Sequence, residues 1–113
     1  MNFQDLSHRN APSIKVVPPG PQSLDHLHSQ QKCEGGSVSY PKGLPMSIRR
    51  AKGATIEDVD GNVYIDFFAG AGVMAVGHSN PVVVESVVKQ LQEFTHALDF
   101  PNPAKHDLVQ VLA

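Results

Sequence analysis

The chain has 113 residues, 41% of them hydrophobic and 18% charged, and a formal net charge of −2, the composition of one soluble globular domain with a modest core. With no block of like charges, it offers no nucleic-acid-binding face and no patch for an anionic membrane. A single cysteine, Cys33, leaves no internal disulfide framework and fits a reducing, cytoplasmic compartment, while the N-terminus MNFQDLSHRN lacks the apolar core of a signal peptide and no apolar run is long enough to span a bilayer.

Residues 1–38 are punctuated by proline, glycine and histidine (VPPGPQ, then LDHLHSQQKCEGG) and show no sustained apolar period, so they are expected as a flexible or draped tail. Leu24 and Leu27 could close one helical turn, but a segment this poor in large apolar side chains cannot offset its ordering entropy without a surface to lie on. The organised part is expected from residue 39 to 113. Tyr40-Pro41 and Leu44-Pro45 are extended or turn dipeptides, because proline drives its predecessor out of the α region.

The stretch ATIEDVDGNVYIDFF contains Asp60-Gly61, a strong short-range hairpin signal. With Asp60 and Gly61 as the two loop residues, Val59 pairs with Asn62, Ile56 with Ile65 and Ala54 with Phe67. Ile56, Val63, Ile65 and Phe67 would then share one face, and Thr55, Glu57, Asn62, Tyr64 and Asp66 the other. Met46 to Arg50 is a candidate third, edge strand. After the glycine-rich stretch, Ser79-Asn80-Pro81 starts a helix near residue 80. Val84, Val87, Val88, Leu91, Phe94 and Leu98 supply its apolar stripe. Pro101 and Pro103 stop that helix, and Asn102-Pro103 starts a second with a stripe of Ala104, Leu108, Val111 and Leu112. The expected fold is an α+β fragment, an antiparallel hairpin, extendable to three strands, with amphipathic helices. Its apolar stripes exceed what the hairpin and helices can cover for one another.

Gly70-Ala71-Gly72-Val73-Met74-Ala75 fits the G-x-G-x-x-G/A dinucleotide fingerprint. Its context fails: the preceding strand is the second arm of a hairpin, the helix waits until about residue 80, and no second parallel strand follows. What remains is a loop nearly free of side chains at Gly70, Ala71 and Gly72, bracketed by Phe68 and Val73. Such a loop lets the backbone approach something closely, either a ligand or the protein's own packing. His26-x-His28 lacks the further ligands of a metal set. His78, just before a helix start, is better explained by local hydrogen bonds than by chemistry. Cys33 has no identifiable base. Turn formation and strand-end solvation account for Asp58, Asp60 and Asp66. No complete catalytic set is legible.

The order of motifs resembles the N-terminal region of class III aminotransferases, the pyridoxal-phosphate-dependent ω-aminotransferase group. The residues that carry it are Arg50-Ala51-Lys52-Gly53-Ala54, Asp58 through Phe67 (DVDGNVYIDF), Ala69-Gly70-Ala71-Gly72, and Gly77-His78-Ser79-Asn80-Pro81 followed by the helix with Gln90-Leu91. Phe67 to Gly72 together with His96-Ala97-Leu98-Asp99 look like the diaminobutyrate-2-oxoglutarate subgroup. The resemblance implies a fold type I enzyme that uses pyridoxal 5′-phosphate, acts on small-molecule amine and 2-oxo acid substrates, and forms a homodimer. It also implies that the glycine loop reaches the active site, with Ala71 and Gly72 at substrate-lining positions, Val73 beside them and Tyr40 facing the substrate. The Schiff-base lysine, the acidic partner of the pyridinium nitrogen and the Ser/Gly-rich phosphate cradle have no counterpart here; Lys42, Lys52, Lys89 and Lys105 occupy no corresponding position. The chain is therefore expected to be a catalytically incomplete, truncated N-terminal segment.

Overall fold

The computed structural model describes residues 6–113. Two compact units divide the chain, Met1–Asn80 and Pro81–Ala113. In the first, three antiparallel strands lie in the order β1 (Ile48–Lys52), β2 (Thr55–Asp58) and β3 (Val63–Ile65), so the candidate edge strand is present.

The hairpin register is one residue away from the expected one. Thr55 pairs with Ile65, Ile56 with Tyr64 and Glu57 with Val63, because the loop holds three residues, Val59-Asp60-Gly61, rather than two. Asp58 Oδ1 accepts from the N–H of Asp60 at 3.0 Å and of Asn62 at 2.8 Å, a local ring that aspartate forms readily. Gly61 ends the loop with φ of 83°, the left-handed position that a three-residue hairpin assigns to glycine. A one-residue slip moves alternate side chains to opposite faces: Thr55 and Glu57 share a face with Val63 and Ile65, and Ile56 shares the other with Tyr64.

The consequence is an unusual interior. Among the described residues the only buried hydrophobic side chain is Val63, while Ser23, Thr55, Glu57, Asp58 and Asn62 are also buried. The polar face expected in solvent is covered by the segment expected to be a tail. Ser13 forms an antiparallel bridge with Val63 on the free edge of β3, and the N–H of His8 donates to Thr55 Oγ1 at 2.9 Å. Asn62 Oδ1 accepts from the N–H groups of Lys15 at 2.7 Å and Val16 at 2.8 Å. Asp60 accepts from the N–H groups of Gln22 and Ser23, each at 2.9 Å, and so caps a thirteen-residue helix, α1 (Pro21–Cys33). Where the sequence suggests one turn there is a full helix, because a carboxylate 37 residues away in sequence satisfies its first N–H groups. Ser23 Oγ in turn accepts from the N–H of Ser47 at 3.2 Å, and His26 Nδ1 lies 2.7 Å from Ser47 Oγ, which ties α1 to the entry of β1. A short turn, α2 (Tyr40–Gly43), follows.

Tyr64 donates its hydroxyl to Asp58 Oδ2 at 2.8 Å. Burial and this bond push the phenol up to about 12. The neutral phenol therefore belongs to the fold. Its stabilisation is complete below the unfolded value of about 10 and is lost as pH climbs from about 10 to 12. Urea denaturation across that interval should show a falling limb in the wild type that is shallower in Tyr64→Phe; equal limbs would mean that the hydroxyl is free in solution.

A single turn after β3, α3 (Ala69–Gly72), occupies the glycine stretch. The second unit holds α4 (Pro81–Glu93) and α5 (Pro103–Leu112), which start where the prolines predict. Asn102 Oδ1 accepts from the N–H of Lys105 at 3.0 Å, an N-cap for α5. On α4 the stripe of Val84, Val87, Val88 and Leu91 is about half exposed, and on α5 Val111 and Leu112 are more so. Among the described residues no helix is long and apolar enough to cross a membrane.

Candidate functional site

The site is built on the loop between β3 and α4. Asp66 follows β3, and its Oδ1 accepts from the N–H groups of Phe68 at 2.8 Å and Ala69 at 2.9 Å. The other carboxylate oxygen, Oδ2, lies 2.8 Å from His78 Nε2. The Asp66 side chain is 3% exposed and that of His78 20%. Burial raises the Asp66 carboxyl, but the N–H of Ala69, the His78 ring and the N–H of Phe68 outweigh it and hold it below the usual carboxylate range. An ionised carboxylate can only accept, so His78 Nε2 carries a proton.

The main chain of His78 is fixed as well. Gly53 N–H donates to His78 O at 2.8 Å and His78 N–H to Gly53 O at 3.0 Å, an isolated antiparallel bridge beside the β1–β2 turn. The backbones approach so closely that a Cβ on Gly77 would sit 2.9 Å from Gly53 Cα. The first turn of the loop is wound left-handed, and Val73 then returns to right-handed backbone. Ala69, Gly70, Ala71 and Gly72 have φ of 51°, 60°, 61° and 85°, and Gly77 and Ser79 follow with 81° and 49°. Positive φ suits glycine but costs an alanine or serine roughly 1 kcal/mol or more.

Of the sequence-predicted site residues, Ala71, Gly72 and Val73 lie on this loop and are exposed. Tyr40 stands at the loop's entrance, its ring edge-on to Phe68 with centroids 5.0 Å apart and planes at 65°. Tyr40 and Phe68 line an apolar cavity of about 390 Å³ together with Leu44, Met46, Ile56 and Tyr64. Ala71, Gly72 and Val73 are not part of that lining. The structure thus joins Tyr40 to the head of the loop, whereas the small residues lie farther along it. Sequence reasoning missed the Asp66–His78 pair. The aspartate three residues before Ala69 was a usable signal for a capped turn, but nothing in the spacing marked His78 as its second partner. His26 is engaged with Ser47, and among the described residues no group of three or more His, Cys, Asp or Glu could hold a metal ion.

Residues 37–113 match the family model described as aminotransferase class-III. The chain belongs to the class-III aminotransferase family. Among its relatives are a diaminobutyrate–2-oxoglutarate aminotransferase of Rhizobium meliloti, 37% identical over 74% of this chain and 18% of the relative, and an alanine/serine racemase of Pyrococcus horikoshii, 37% identical over 77% of this chain and 18% of the relative. The acetylornithine aminotransferase of Elizabethkingia anophelis superposes with a TM-score of 0.73 at 25% identity, covering 80% of this chain and 22% of that one. The chain thus spans about a fifth of the length of the relatives it matches. Its sheet and helices are the corresponding part of the pyridoxal-phosphate-dependent aminotransferase fold.

Class-III membership implies pyridoxal 5′-phosphate as cofactor. The described residues do not form a site for it by themselves. Lys52 is only half-buried on β1 and the remaining lysines are exposed, whereas an amine that forms a Schiff base is activated by desolvation or by a neighbouring cation.

Proposed function

We propose that the chain supplies the N-terminal small-domain segment, residues 39–113, of an aminotransferase that moves an amino group from an ω-amine donor resembling diaminobutyrate to a 2-oxo acid such as 2-oxoglutarate. The observation that carries this reading is the loop Ala69–Gly77. It combines left-handed turns and the small side chains of Ala71 and Gly72 with an entrance flanked by Tyr40 and Phe68, within the stretch matched to the family. In this reading Ala71, Gly72, Val73 and Tyr40 contact substrate. The Schiff-base lysine and the rest of the cofactor site belong to the remaining length that the relatives have. The isolated chain is then inactive, and the complete enzyme is a cytoplasmic homodimer.

A transplant tests the proposal. Residues 39–113 placed in a diaminobutyrate–2-oxoglutarate transaminase, in place of its matching segment, should leave glutamate formation within about 200-fold of the parent, since small changes in pocket shape are worth roughly 1–3 kcal/mol. A folded, cofactor-loaded chimera with no turnover would falsify the reading. The half-exposed stripe on α4 favours a second reading, a non-catalytic module that pairs with an intact aminotransferase subunit. Co-purification of the separate 113-residue chain with such a subunit, without gain of activity, would support it.

A further inference from the structure

The loop combines two features that the proposed substrate contacts leave unexplained: strain in its first turn and one carboxylate that grips both of its ends. We propose that Asp66, acting through His78, is the positioning residue that holds the first turn of the loop Ala69–Gly77 in its left-handed form and so sets where Ala71 and Gly72 stand. The inference rests on the aminotransferase reading only for what the loop faces, not for how it is held.

Within the loop the non-glycine residues Ala69 and Ala71 have positive φ, and Ser79 follows just beyond it; strain of this kind persists only where surroundings over-determine it. Asp66 is the group placed to do so. Its Oδ1 fixes the N–H groups of Phe68 and Ala69 at the start of the loop, and its Oδ2 takes the His78 ring at the end, twelve positions away in sequence. His78 is itself fastened through its main chain to Gly53. The carboxylate is thus anchored to the sheet through a histidine whose backbone cannot drift, and the first left-handed turn is referenced to that anchor. Bonds made inside the loop, such as Met74 N–H to Ala69 O at 3.0 Å and Gly77 N–H to Met74 O at 2.8 Å, define its local shape without fixing it to the sheet. Hydrogen bonds to a charged, nearly buried group are the strong ones, which suits a part that must resist strain.

Amide hydrogen exchange on the full 113-residue chain reads the clasp directly. In His78→Leu, which deletes the ring donor, the amides of Met74 and Gly77 should exchange at least about tenfold faster than in the wild type, the weight of one charge-assisted hydrogen bond. The amides of Glu57 and Val63 should keep their rates. His78→Gln retains a side-chain N–H donor and should restore much of the protection. Exchange that rises equally in the loop and in β2, a glutamine that rescues nothing, or wild-type loop amides that already exchange at free-peptide rates would each overturn the proposal.

Asp66→Asn in the transplanted enzyme supplies the functional arm. It keeps an oxygen for Phe68 and Ala69 but offers no acceptor to a protonated His78 Nε2, so KM for the amine should rise about tenfold with kcat within about threefold, the signature of lost substrate positioning. An unchanged KM overturns the positioning role. Loss of the transplanted enzyme's activity before any substitution is a failure of the aminotransferase reading instead, and the exchange measurements on the chain are independent of it.

Discussion

Asn62→Ala should cost the first unit about 3 kcal/mol, the sum of a lost bond to a charged group and two backbone donors left without their acceptor. Asn62 is fully buried and works in three directions. Its Oδ1 accepts from Lys15 and Val16, its Nδ2 donates to Asp58 Oδ2 at 2.9 Å, and its N–H donates to Asp58 Oδ1. Alanine retains only the last. A loss of that size is a large part of the roughly 4–12 kcal/mol that a unit of this length has in total. Urea denaturation followed by circular dichroism measures it as a lower midpoint. The helical signal of α1 should fall along with the sheet, since the segment that leads into α1 is what Asn62 holds. Asn62→Asp separates the roles, because it keeps an acceptor for Lys15 and Val16 but brings a second negative charge against Asp58. Its loss should equal or exceed that of alanine if the Asp58 contact dominates, and be smaller if the N-terminal segment does. A shift below about 0.5 kcal/mol in Asn62→Ala, the range of an ordinary surface substitution, would mean that residues 13–23 are not docked in solution.

This dependence also explains what could be read from the sequence and what could not. The helix starts at Pro81 and Pro103 were legible because proline at the first helical position acts locally, and Asn102 caps as expected. The hairpin was legible from Asp60-Gly61, but its register was not. Gly61 serves equally well as the second residue of a two-residue loop or the third of a three-residue one, and the choice is made by Asp58 Oδ1 folding back onto two N–H groups. The N-terminal tail was legible as flexible or draped, but not the surface on which it lies. Residues 6–33 have too few large apolar side chains to order themselves, and they are ordered instead by Thr55, Asp60 and Asn62. Those polar residues look like solvent-facing ones in any pattern of hydrophobicity. Only the satisfied N–H groups reveal that all three hold the segment and that Thr55 and Asn62 belong to the interior. At the candidate site, the small residues and their order along the loop were visible in the sequence. The left-handed winding and the bond between Asp66 and His78 were not, because both depend on the bridge that brings residue 78 back to residue 53.

That bridge should fail in Gly77→Ala. Two effects coincide at this position. A φ of 81° is one that alanine adopts at a cost of about 1 kcal/mol, and the new methyl would lie 2.9 Å from Gly53 Cα and 3.2 Å from Gly53 C. The obstructing atoms are backbone, so no rotamer change relieves the contact, and Gly53 cannot retreat without breaking both of its hydrogen bonds to His78. The expected loss is about 3 kcal/mol, with amide exchange at Gly53 and His78 accelerated ahead of the β2–β3 ladder. Gly72→Ala is the matched comparison. It has a φ of 85°, yet a Cβ there meets nothing within 4 Å, so it bears the conformational cost without the collision and should lose only about 1 kcal/mol. The difference between the two variants isolates the close approach of the strands from the handedness of the turn. If Gly77→Ala is no worse than Gly72→Ala, the loop is not seated against Gly53, and the sheet cannot be the anchor from which Asp66 and His78 hold Ala71 and Gly72 in place.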